Sequence, residues 1–366
     1  MRPQKRNLRL WALLLAVLAL VATACGGDDD DDAGGTSDTT AAPADDETPT
    51  GDPFAPQPLD EPYTIKMTTP VRIEVFAQPL LADFFDELAA ENLTLEVTDT
   101  PTSEALALLD AGRTDVHVTS PVAGFFNAVD QGLNVRWAAA SNQFGPDSPT
   151  GLYLKPDLFQ PDGTVDPDDL EGARIALGPS GWGDLAAGFF RTWLQDNGLD
   201  TDDIDIQSFN SVDALTQLEA GNLDGAVLAD PLYEQALDRG FGELFLSFPE
   251  GSTFNGYFVG PNLLEENREA GEAFFRAIAR TTETHLQGDY HDDTEVAEAL
   301  AEVTGAPMEN ILATDELLFD PTLALDPTWV MEVQEAWIAI GDVLGYDEAL
   351  PVENWVDTSL IDPLAE

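Results

Sequence analysis

One segment of this chain occurs twice. Ser103 to Gly112, then Asp115 and the run Val116 to Pro121, is echoed by Ser211 to Gly221, then Asp224 and the run Gly225 to Pro231. In each copy a Ser stands at a helix start, Leu residues recur on one face, and a Gly supplies the left-handed stop. An Asp three residues past that Gly leads into an apolar strand that ends at a Pro. Two common helix-strand units can agree by chance; the alternative is a pair of α/β lobes of similar build.

The surroundings of each copy extend the pattern. Before the first, Thr64 to Met67 reads as a strand opening into Thr68-Thr69-Pro70; residues 80–90 have helical spacing and residues 93–97 read as a second strand. Around the second, residues 173–177 form a strand and Gly178 to Gly183 a tight loop, before a helix with Leu185, Phe189 and Trp193 on its apolar stripe. Residues 241–248 and 254–259 follow, then helices over about 266–286, 294–304 and 326–345. The last carries Trp329, Val333, Trp337 and Ile340 at core spacing. Strands alternating with helices imply parallel sheets covered by helices.

In such sheets the ligand crevice lies beyond the carboxyl ends of the strands. Four of these ends are visible, at Thr68-Thr69-Pro70, Thr119-Ser120-Pro121, Gly178 to Gly183 and Ala229-Asp230-Pro231, two from each lobe. Candidate ligand groups follow. Thr68, Thr69, Thr119 and Ser120 offer hydroxyls, against a merely loop-forming role. Backbone N–H groups of Ser180 and Gly181 offer an anion-receiving helix start, against a simple cap. Trp182 offers a ring for stacking, against packing within its lobe. Asp230 offers an acceptor, against a turn-stabilising role. Arg72 is the only cation beside these ends, and Asn255 lies on the return segment between the lobes.

The charge narrows the function. With 15 Lys+Arg against 69 Asp+Glu the formal charge is −54, which repels nucleic acid and leaves no polybasic membrane patch. A hydrophobic content of 43% is too high for an acidic tail disordered along its whole length. No activated nucleophile, phosphate loop or paired Cys/His is visible, so neither catalysis nor a cofactor is expected. His285, Asp289, His291, Asp292 and Asp293 are read as an exposed polar loop rather than a metal site, and His117 as a hydrogen-bonded core residue.

The N-terminus gives an address. Arg2, Lys5, Arg6 and Arg9 precede an apolar run of 15 residues, Leu10 to Ala24, shorter than the roughly 18 to 20 a spanning helix needs. It reads as an export signal. Cys25, the only Cys, follows Ala22-Thr23-Ala24 directly and resembles the lipidated Cys of a bacterial lipobox, although Ala22 stands where such boxes carry Leu or Val. Cleavage there removes four cations and no acid, taking the charge to −58. Residues 25–61 then form an acidic, Pro-rich tether spanning on the order of 30 Å.

Taken in order, Ala111-Gly112 to Asp115, Ser120-Pro121, Ala128 to Gly132, Asp169 to Gly172, Ala220-Gly221 to Asp224, Asp230-Pro231 and Leu263 to Asn267 resemble the solute-binding proteins of ABC importers. The branch is the one handling nitrate, aliphatic sulfonates and the thiamine pyrimidine precursor. The resemblance implies a type II periplasmic-binding-protein fold: two α/β lobes, a two-strand hinge near residues 149–153 and 254–257, and a solute passed to a membrane permease. It implies a signal peptide over 1–24, the tether over 25–61, one lobe from 62–149 plus 254–366 and another from 150–253. The chain departs from the branch at Ala229-Asp230-Pro231 and at Pro179-Ser180-Gly181-Trp182, so the branch's named ligand residues do not carry over. We expect a lipid-anchored monomer holding a neutral or weakly cationic ring-bearing solute. A sulfonate or nitrate ligand is the alternative, and an exported solute sensor a different use of the same module.

Overall fold

The computed structural model describes residues 52–145, 148–229, 232–253, 255–313 and 317–365. Ten strands are described: β1 Tyr63–Thr69, β2 Leu93–Asp99, β3 Val116–Thr119, β4 Arg136–Ala140, β5 Gly151–Leu154, β6 Arg174–Gly178, β7 Asp205–Ser208, β8 Gly225–Leu228, β9 Glu243–Ser247 and β10 Gly256–Val259. The helices are α1 Gln78–Phe84, α2 Glu87–Ala90, α3 Thr102–Asp110, α4 Ala123–Asp130, α5 Ala186–Asp196, α6 Ser211–Glu219, α7 Leu232–Asp238, α8 Arg268–His285, α9 Thr294–Thr304, α10 Met308–Ile311 and α11 Thr328–Ile340. The expected helix over 80–90 is split into α1 and α2, because Asp86 takes a left-handed backbone (φ 61°).

The strands form two five-stranded sheets of identical plan, β2-β1-β3-β10-β4 and β7-β6-β8-β5-β9. In each, four strands run one way and the fifth, β10 or β5, enters antiparallel from the other lobe. The repeated segment falls on α3–β3 and α6–β8, which hold equivalent places. Its Asp does the same work twice: Asp115 Oδ2 accepts from Lys66 N–H at 2.7 Å, and Asp224 Oδ2 accepts from Arg174 N–H at 2.9 Å. Each carboxylate thus pins the loop before a central strand to its parallel neighbour. The stops are left-handed, as the sequence indicates, at Gly112 (φ 62°) and Gly221 (φ 72°). The caps differ from expectation: Asn210, not Ser211, caps α6, and α3 starts at Thr102 with no side-chain cap.

Val116 and Val118 of β3 join Ile65, Met67, Tyr257 and Phe274 in the core of the first sheet. A second core joins the lobes, uniting Trp137, Phe126 and Phe258 with Leu177, Phe190, Val333 and Trp337. The described parts of the crossings between the sheets, 141–145 and 148–150 on one side and 248–253 and 255 on the other, pair with each other. Ser141 N–H donates to Asn255 O at 2.9 Å and Phe144 N–H to Ser252 O at 3.2 Å. This pairing begins upstream of the expected 149–153, because Tyr153 is already a ladder residue of the second sheet.

Two segments depart from the expected division. Residues 52–61, assigned to the tether, lie on the body: Phe54 is buried, Arg280 Nη1 donates to its carbonyl, and Arg276 Nη2 donates to Gln57 O. Glu91, fully buried, accepts from Arg276, Arg280 and Gln57 N–H. Helix α11, assigned to the first lobe, packs on α5 of the second, where a Cβ on Gly188 would stand 2.8 Å from Val333. The chain turns out of α11 through Gly341 and Asp342, both at positive φ, and Asp357 N–H then bonds Trp137 O of β4.

Candidate functional site

The carboxyl ends of β3 and β6, one from each sheet, come together. Ser120 leads through Pro121 into α4, and Gly183, which follows the β6 loop, lies so close to Ala123 that a Cβ on it would stand 3.3 Å from the Ala123 methyl. Behind this contact, where the two crossings pair, is a chain of amides. Ser120 Oγ donates to Asn255 Oδ1 at 2.6 Å, and Asn255 Nδ2 donates to Asn142 Oδ1 at 3.0 Å. Asn142 Nδ2 and Thr253 Oγ1 are buried with no hydrogen-bond partner among the described residues. Both residues are 0% exposed. A buried polar group without a partner costs about 1–3 kcal/mol, so each of the two marks a place on the paired crossings where a bonding partner would lower the free energy.

A second polar array crosses the cleft end of the first sheet. His117, fully buried on β3, has Nδ1 3.1 Å from Thr68 O and 2.9 Å from Thr68 Oγ1, and Nε2 3.2 Å from Thr102 Oγ1. Thr102 Oγ1 is in turn 3.0 Å from Thr119 Oγ1. Burial holds the His117 imidazole down at about 4, so it is neutral near pH 7. Its expected place as a satisfied core residue is confirmed.

The other expected ligand groups are placed as follows. Thr69 is buried and its hydroxyl bonds Val71 O, forming the turn after β1. Arg72 is drawn to the end of the neighbouring strand, where Nε meets Asp99 Oδ1 at 2.9 Å on an exposed edge. Ser180 N–H, expected open to an anion, is taken by Asp184 Oδ2 at 2.6 Å. This carboxylate folds over Gly178, whose φ of 145° and missing Cβ leave it room, and burial pushes it up to about 7 against the Ser180 bond. Gly181 (φ 58°) is buried in the same loop, and α5 begins only at Ala186. Trp182 lies parallel to Phe190, ring centres 6.1 Å apart, so one face packs within its own lobe. Asp230 and Cys25 lie outside the described residues.

His291 is not part of an exposed loop. It is buried, with Nε2 2.7 Å from Glu74 Oε1, which also accepts from Tyr290 OH at 2.6 Å. Among the described residues no group of three or more His, Cys, Asp or Glu is arranged to hold a metal. Sequence reasoning missed Asn142, Thr253 and Thr102. Its available signal was the polar runs Ser141-Asn142-Gln143 and Ser252-Thr253, each beside an apolar strand.

The model of the NMT1-like family matches residues 174–303. Among curated proteins no sequence match is found. Three solved structures share the fold. The ligand-binding component of an ABC-type import system from Staphylococcus aureus, with zinc bound, is 12% identical (TM-score 0.62) over 82% of this chain and 98% of that one. The periplasmic nitrate-binding protein NrtA from Synechocystis PCC 6803 is 14% identical (TM-score 0.61) over 82% and 88%. The alkanesulfonate-binding protein SsuA from Xanthomonas axonopodis pv. citri, bound to MOPS, is 16% identical (TM-score 0.59) over 82% and 100%. The expected type II fold of two α/β lobes is therefore the one these structures share with this chain.

Proposed function

We propose that this protein is the extracytoplasmic solute-binding component of an ABC importer, tethered through a lipid on Cys25 and working as a monomer. It captures a small organic solute between its lobes and hands it to the permease. One observation carries the reading: two buried donors with no partner among the described residues, Asn142 Nδ2 and Thr253 Oγ1, stand on the crossings that pair between the lobes. The likeness to importer components supports it. Residues 62–149, 255–323 and 345–365 would form one lobe and 150–253 the other, with α11 riding on the second.

For the solute we favour a neutral or weakly cationic compound that combines acceptor atoms, to meet Asn142 Nδ2, with N–H or O–H groups, such as a heteroaromatic vitamin precursor. The described array consists of Thr, Ser, Asn and a neutral His, and Arg72, the cation beside the strand ends in sequence, is engaged by Asp99. Nitrate or an alkyl sulfonate is the second reading, favoured by the neighbours that bind them. Calorimetry against the pyrimidine precursor, propanesulfonate and nitrate, with solution scattering at saturation, tests both. The proposal expects one class to bind and the radius of gyration to fall or the open population to vanish. Absence of binding across a wide solute screen would reject it.

A further inference from the structure

The sheet end that carries Thr119 holds a histidine whose protonation pattern is fixed by its neighbours. His117 Nδ1 faces the backbone carbonyl of Thr68 at 3.1 Å, and a carbonyl accepts only, so the proton sits on Nδ1 and is donated there. Thr68 Oγ1, at 2.9 Å from the same nitrogen, receives a share of that proton and donates its own to Val116 O. The other tautomer would set a ring lone pair against the carbonyl. A neutral ring protonated on Nδ1 has a lone pair on Nε2, which accepts from Thr102 Oγ1–H. With its proton committed, Thr102 Oγ1 is left to accept, and its one remaining neighbour, Thr119 Oγ1, donates to it. The Thr119 proton is therefore spent inside the protein.

We propose that His117 is a positioning residue which, through Thr102, holds the Thr119 hydroxyl as a hydrogen-bond acceptor at the cleft and so selects solutes that donate an N–H or O–H there. The inference rests on the solute-binding reading above. Burial of His117, which keeps the ring neutral over the physiological range, keeps the relay in one sense. Thr102 is available for this role because α3 has no side-chain cap, so its hydroxyl is not drawn to the helix start. An acceptor-only anion meets an oxygen lone pair at Thr119, whereas the corresponding amide meets a partner.

The test uses the full folded chain, nitrogen-labelled at histidine, and two probes of nearly one shape, propanesulfonate and propanesulfonamide. The nitrogen spectrum at pH 7, with the resonance identified by its loss in His117→Asn, is expected to show a neutral ring protonated on Nδ1. A ring protonated on Nε2, or a charged ring, overturns the inference. The sulfonamide is expected to bind at least about 10-fold tighter, the equivalent of one hydrogen bond. Thr119→Val should erase that preference, as should His117→Asn, which keeps the bond to Thr68 O and drops the one to Thr102. Binding in which sulfonate wins, or in which the preference survives Thr119→Val, overturns the inference alone. Failure of both probes and of the pyrimidine precursor at millimolar concentration overturns the solute-binding reading and the inference with it.

Discussion

Replacing Thr253 by Val should stabilise the ligand-free protein while weakening its grip on solute. Both side chains are β-branched and nearly equal in shape, so the extended backbone at this crossing and the χ1 well are kept. What changes is one hydroxyl, on a residue 0% exposed and without a hydrogen-bond partner among the described residues. Removing such a group recovers its desolvation cost, about 1–2 kcal/mol. In a body of this size each kcal/mol moves the thermal midpoint by about 1–3 °C, so a rise of about 1–6 °C is expected. Solute should then bind about 10-fold more weakly, because the Val methyl meets a polar group of the ligand. Differential scanning fluorimetry and calorimetry on the two proteins suffice. A lowered midpoint with unchanged affinity would show that the hydroxyl is already bonded in the free protein, and would refute the assignment of this spot to the ligand. A raised midpoint with unchanged affinity would refute the ligand role alone.

Arg276→Met should cost about 3 kcal/mol in denaturant unfolding, since Glu91 would stay buried with Arg280 as its only ionic partner among the described residues, and should open residues 52–61 to proteases. Asp184→Asn should stabilise the protein increasingly from pH 5 to pH 8. The folded carboxyl, pushed up to about 7, holds its proton after the unfolded one has lost it, so the native contribution is full below about 4 and lost as pH rises through 7. Gly188→Ala should cost about 1–3 kcal/mol by forcing a methyl onto Val333, and urea unfolding of the two proteins measures it. Cys25→Ser should release the processed protein from membranes into the soluble fraction; retention of a processed variant would reject the lipid anchor.

How far the sequence reveals this molecule depends on the range of each interaction. The twin segments are legible because helix stop, Asp and strand lie within twenty or so residues, and local patterning carries them. Thr119 and Ser120 are legible because strand ends in parallel sheets are where ligands gather. The Asn142–Asn255 bond joins residues 113 apart through two irregular crossings, which no periodicity announces. His291 is misread for a similar reason: its acidic neighbours suggest solvent, but its partner, Glu74, arrives from 217 residues away. Trp182 sits beside a glycine loop at a strand end, yet Phe190, two turns along the chain, claims one of its faces.

The excursion of α11 bears on how this protein can open. Trp337 touches the Phe126 ring of the first lobe at 5.7 Å while its indole N–H donates to Asp184 O of the second at 3.3 Å. The chain then returns to the first lobe at once, where Gly345 N–H bonds Asn127 Oδ1 of α4. Two paired strands alone would permit the lobes to twist and slide as well as part. A strap fastened on both sides opposes those motions, and the left-handed pair Gly341-Asp342 is where the chain bends between its two attachments. If the lobes part on the proposed hinge, the slack in residues 341–345 sets how far α11 can travel with its partner helix.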